Sequence, residues 1–76
     1  MSQVSGGDLG DGELWRIIRR VCTAKEIEVM RALAKGSTLV DQSRRTGFSY
    51  EEIRRRYRNA RRKIERELAA MGVVDP

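Results

Sequence analysis

Thr23-Ala24-Lys25-Glu26-Ile27-Glu28-Val29-Met30-Arg31-Ala32-Leu33-Ala34-Lys35-Gly36 is followed, ten residues later, by Gly47-Phe48-Ser49-Tyr50-Glu51-Glu52 and then by Ile53-Arg54-Arg55-Arg56-Tyr57-Arg58-Asn59-Ala60-Arg61-Arg62-Lys63-Ile64. This stretch contains two helix starts, two helix stops and one strongly two-sided helix. Thr23 stands three residues before Glu26, so the hydroxyl can take the Glu26 amide while the carboxylate returns to the Thr23 amide, a capping box. The helix so opened is expected to bury Ile27, Met30, Leu33 and Ala34. It should stop at Gly36, the residue best able to adopt the left-handed conformation at a helix C-terminus. Ser37 or Thr38 then caps a short helix through about Thr46, ended by Gly47. The inner face of that helix is thin: Leu39 and Val40 are its large apolar residues, and Gln42, Ser43 and Thr46 fall where apolar side chains are expected.

Ser49-Tyr50-Glu51-Glu52 reads as a second capping box, with Phe48 placed to staple against Ile53. The last helix meets no Gly or Pro from Tyr50 to about Met71. One side of it carries Ile53, Tyr57, Ala60 and Ile64, prolonged by Leu68 and Met71. The other is dense in arginine. Only Glu51, Glu52, Glu65 and Glu67 offset the basic run, so its outer face is expected to stay unneutralised and to meet an anion.

Working outward, Leu14, Ile17, Ile18 and Val21 recur at helical spacing, predicting a first helix near 12–22 with Asp11 as its cap. Residues 1–12 hold four glycines and few apolar groups, and are expected to form a flexible tail. The domain then spans 13–71, with 72–76 as a short tail. No internal repeat is present. The fold class expected is all-α, a small bundle of about four helices containing a helix-turn-helix with a long C-terminal recognition helix. A chain of 76 residues holds one domain, and 39% hydrophobic with 36% charged residues suits a small bundle with a solvated surface.

The formal net charge of +5 favours an anionic partner. Cys22 is the only cysteine, so no intramolecular disulfide can form, and it reads as a small buried hydrophobe in a reducing, cytoplasmic setting. No apolar run is long enough to span a bilayer, and no signal peptide is apparent. Enzymatic chemistry is not expected. The chain has no His, no metal-ligand cluster and no phosphate loop, and a lone Cys or Ser without a base is not an activated nucleophile. Neither a cofactor nor a metal is expected, and Glu51 and Glu52 point to different sides of their helix.

In a helix-turn-helix the second helix enters the major groove with its early residues facing base edges. Tyr50, Glu51, Arg54, Arg55 and Arg58 lie near the start of the last helix, away from the Ile53 and Tyr57 side, and are the candidate base readers. Arginine can take guanine through two parallel hydrogen bonds, and Glu51 can accept from cytosine or orient an arginine. Thr38, Arg44, Arg45, Ser49, Arg56 and Lys63 are the candidate phosphate contacts, which position the protein without reading sequence. Tyr50 could stack on a base or serve only the first turn, and Trp15 could anchor a partner or belong to the core.

The stretch resembles a family. Thr23 to Gly36 is similar to the "L-T-x-R-E-x-E-V-L-x-L-L-A-x-G" opening of LuxR-type regulators and sigma-factor region 4. Gly47-Phe48-Ser49 matches their "G-I/V-S" turn, and Ile53 to Ile64 resembles the "V-R/K-x-R-x-x-R-A-x-R-K-L" of sigma region 4 in particular. The resemblance covers about the central two-thirds of the chain. It implies a bacterial or bacteriophage domain that binds duplex promoter DNA, located at the nucleoid, with RNA polymerase or a sigma-related protein as a further partner. The chain departs from the family at Asp41-Gln42-Ser43-Arg44-Arg45-Thr46, where "E-I-A-x-x-L" is usual. With no core-binding region before the domain, a complete sigma factor is not expected. Ile64, Leu68, Met71 and Trp15 could form a homodimer or partner surface, or could close the core against Leu14, Ile17 and Ile18. Two other outputs fit the same domain: an adaptor that imitates sigma region 4, and a phage accessory protein for DNA packaging or recombination.

Overall fold

The computed structural model describes residues 11–72, which form four helices: α1 Asp11–Val21, α2 Ala24–Ala34, α3 Leu39–Thr46 and α4 Tyr50–Ala70. The expected tail before residue 11 and the last residues, 73–76, lie outside the described residues. All described secondary structure is helical. α4 packs against each of the other three helices, and α2 touches both α1 and α3. At 21 residues and about 1.5 Å of rise per residue, α4 is about 30 Å long and forms the spine of the molecule.

The helix boundaries follow from local chemistry. At the start of α2 the Thr23 hydroxyl accepts from the Glu26 amide (3.2 Å) and the Thr23 amide donates to Glu26 Oε1 (3.0 Å), which satisfies two amides the helix leaves unpaired. The end of α2 is a Schellman turn, with the Ser37 amide donating to the Ala32 carbonyl and the Gly36 amide to Leu33. Gly36 holds φ +100°, and Gly47, at the end of α3, holds φ +83°. Both lie in the left-handed region, where a β-carbon is penalised. α3 carries a capping box of its own between Thr38 and Asp41. α1 begins at Asp11 itself, one residue before the expected start.

The core is built from Ile17 and Ile18 of α1, Val29 of α2, and Ile53, Ala60 and Ile64 of α4. α2 is rotated relative to the expected face. Val29 and Glu26 are buried, Ile27, Met30 and Leu33 are half-buried, and Ala34 is exposed. None of the four residues expected to be buried is fully so, and the inward direction of α2 lies instead along Glu26 and Val29.

α3 departs further from simple patterning. Val40, one of its two large apolar residues, is exposed, while Gln42 is buried at 3% exposure. Of the three polar residues expected on the inner face only Gln42 is buried, with Ser43 half-buried and Thr46 exposed, and each side chain donates one hydrogen bond. Gln42 Nε2 donates to the Val29 carbonyl (3.4 Å), Ser43 Oγ to the Phe48 carbonyl (2.6 Å) and Thr46 Oγ1 to the Gln42 carbonyl (2.7 Å), while the Phe48 amide donates to Thr46 Oγ1 (3.3 Å). A buried polar group is tolerated when it is hydrogen-bonded. The polar inner face of α3 thus ties α3 to α2 and to the turn that launches α4.

Candidate nucleic-acid interface

The turn Gly47-Phe48-Ser49 joins α3 to α4, and Ser49 caps α4 by accepting from the Glu52 amide (3.1 Å). The box is not closed. Glu52 does not return to the Ser49 amide, because the guanidiniums of Arg55 and Arg56, one turn on, hold its carboxylate. Partial desolvation raises the Glu52 pKa, but the combined attraction of Arg55 and Arg56 outweighs it and holds the carboxyl below its ordinary value. Phe48, expected to staple against Ile53, is 45% exposed, and the Arg56 guanidinium lies over its ring at 4.3 Å from the centroid. Arg56 is therefore fixed between Glu52 and Phe48 beside the turn.

The outer face of α4 carries the expected readers. Tyr50, Glu51, Arg54, Arg55 and Arg58 are all exposed. Glu51, Arg54, Arg55, Arg58 and Arg62 line one shallow surface of about 500 Å³ that starts at Ser49, with Asn59 between the later arginines. The i, i+3 and i+4 spacing that lines them up also pairs some of them with acids. Glu51 approaches Arg54 (4.0 Å), Glu52 holds Arg55, and Glu65 accepts from Arg61 (3.0 Å). The Glu65 and Tyr57 side chains raise the Arg61 pKa, Glu65 through the stronger contact. The face is thus partly neutralised, contrary to the expectation from counting acids, because Glu65 reaches back one turn and Glu52 serves two arginines. Among the described residues, Arg58, Arg62 and Arg66 of α4 make no ion pair.

The candidate phosphate residues divide. Arg44 and Arg45 are exposed on α3, and Arg45 Nη1 reaches the Ser37 hydroxyl (3.5 Å). Thr38 and Ser49 serve as helix caps. Two others are occupied elsewhere. The Arg56 side chain is only 12% exposed, held as described, and Lys63 points away from the outer face. Lys63 Nζ donates to both Glu26 oxygens (2.9 and 3.2 Å), pinning α4 to the capping box of α2. Sequence spacing did not reveal this pair because its members are 37 positions apart.

The pair leads to a stability prediction. Lys63→Met removes the cation from a nearly buried carboxylate, and is expected to cost about 1–2 kcal/mol of stability, reduced from the value for a fully buried pair because the Lys63 side chain is 39% exposed. Urea unfolding measures it. A melting curve that overlays the parent's would remove the pair from the fold.

The residues considered for dimerisation are also distributed. Ile64 belongs to the chain's own core, and Leu68 and Trp15 are half-buried, so of the four only Met71 is exposed. The α1–α4 packing that uses Ile17, Ile18 and Ile64 is fastened by an ion pair between Arg20 and Glu67. Cys22 sits in the same seam, its thiol donating to the Ala60 carbonyl (3.9 Å). Burial first, and the nearby Glu26 carboxylate second, push the thiol pKa up against the opposing effect of Lys63, so the thiol form is favoured.

Among the described residues, no helix is long and apolar enough to cross a membrane, and no cluster of His, Cys, Asp or Glu is suited to hold a metal ion. Compared with protein-family models, curated proteins and solved structures, the chain matches none.

Proposed function

We propose that this chain binds duplex DNA as a small transcription regulator, with the outer face of α4 in the major groove. The observation that carries the reading is the exposed surface of Arg54, Arg55, Arg58 and Arg62, which begins at the capped N-terminus of a helix presented by a three-residue turn from α3. A helix of this diameter fits the major groove, and its first turns are the part that meets base edges. The resemblance of residues 23–64 to sigma region 4 points the same way. In this reading Arg54 and Arg55 face bases, with Glu51 and Glu52 orienting them. Arg58, a base-reading candidate from the sequence, lies a turn further from the N-terminus of α4 and in this reading joins Arg62 and Arg44 on phosphates, while Arg56 sets the angle of the turn.

Salt dependence tests the reading. Each phosphate neutralised contributes about −0.9 to the slope of log affinity against log salt, so the three contacts of Arg58, Arg62 and Arg44 predict a loss of about 40-fold between roughly 50 and 200 mM salt. Fluorescence anisotropy with a duplex drawn from a selected pool should show that slope and tighter binding than to random duplex. Equal affinity for heparin, random duplex and selected duplex would leave only a basic surface and defeat the proposal.

A further inference from the structure

We infer that the groove between α2 and α3 is a second binding site, one that takes an acidic peptide segment of a protein partner. Arg31 and Glu28 of α2, with Lys35 at its C-terminal cap, face Ser37 and Arg45 across a concave surface of about 410 Å³. A smaller hollow continues it, sharing Glu28, Ala32 and Arg45 and running past Lys25 and Val29 to Phe48 and Arg56 at the turn before α4.

Charge selects the class of occupant. Besides Arg56, which Glu52 holds, four cations, Lys25, Arg31, Lys35 and Arg45, line the groove against one carboxylate, Glu28, and among the described residues none of these five makes an ion pair. Arg54, Arg55, Arg56 and Arg61 each hold an acid one turn away, whereas these cations from α2, its C-terminal cap and α3 are gathered around one hollow without such a partner. The walls are not purely polar. Ala32 and Val29 contribute to the floor, and the exposed ring of Phe48 stands at one end. Cations flanking an apolar floor suit a thin chain whose carboxylates reach the guanidiniums while an apolar side chain covers the floor. A stiff duplex presents its phosphates on a convex surface and does not enter such a hollow. The groove shares no lining residue with the outer face of α4, so a peptide here and DNA on α4 can be held together.

The test uses the full chain and a fluorescein-labelled peptide in which pairs of glutamates alternate with single leucines. Binding is expected in the parent, weakened about tenfold or more by the double change Arg31→Ala and Arg45→Ala, and unchanged by Arg58→Ala with Arg62→Ala. All four side chains are exposed, so both double variants should keep the parent's circular dichroism, and Lys35→Ala provides an independent check within the groove. Peptide should still bind when the protein is saturated with duplex. Three results would overturn the inference: no peptide binding; binding lost in the Arg58/Arg62 variant rather than the Arg31/Arg45 variant; or loss of duplex affinity in the Arg31/Arg45 variant with peptide binding intact, which would make the groove a phosphate contact. The first and third leave the DNA-binding reading of α4 standing, and failure of duplex binding in the parent leaves the peptide arm measurable.

Discussion

Ile53→Ala is expected to remove about 2–4 kcal/mol of folding stability, the largest single loss in this chain. Ile53 is 1% exposed and is the largest fully buried side chain among the described residues. It sits in the first full turn of α4, where that helix leaves the turn and packs against α2 and α3. Deleting three carbons there loses their transfer from water and leaves a cavity that the surrounding structure closes only in part. For a chain of this length the total stability is about 4–11 kcal/mol, so the variant should melt roughly 10–25 °C lower. Val40→Ala is the control, since Val40 lies on the exposed side of α3 and its loss should stay within about 0.5 kcal/mol. Thermal unfolding of the two proteins side by side measures the difference. Similar melting temperatures would mean that the junction of α2, α3 and α4 is not the centre of the core.

What could be read in advance was local. The Thr23 box, the left-handed glycines at positions 36 and 47 and the Ser49 cap each depend on residues within four positions of one another, and each stands where spacing placed it. The Thr38–Asp41 box has the same spacing and was legible too, although it was missed beneath the unusual composition of α3. Tertiary partners were not legible. Nothing near Glu26 in sequence marks it as buried, because its partner Lys63 comes from another helix. Gln42 reads as a weakness of α3 until the Val29 carbonyl is seen within reach of its amide. On the candidate site, periodicity found the outward arginines but could not divide them. That division depends on rotamers: Arg55 and Arg56 both turn to Glu52, whereas Arg58 and Arg62 pair with no acid among the described residues.

This division gives the proposed interface its sharpest consequence. On a selected duplex, Arg54→Ala and Arg55→Ala should each weaken binding by about 1–3 kcal/mol, and each should relax the preference at one base pair, since an arginine bidentate on guanine discriminates by that much. Arg62→Ala should weaken selected and random duplexes alike and lower the salt slope by about 0.9, as expected for one lost phosphate. Neither kind of loss can be attributed to unfolding. The three side chains are exposed, alanine is the best helix former, and the pair between Arg54 and Glu51 is too exposed to hold the helix. Glu52→Gln separates orientation from contact. It releases Arg55 and Arg56 without removing either, so base preference should loosen while the salt slope keeps the parent's value. Binding-site selection followed by affinity measurement on all four variants decides the matter. If Arg54→Ala and Arg55→Ala both select the parent's sequence with the parent's affinity, the first turns of α4 do not read DNA, and the arginine surface serves another anion.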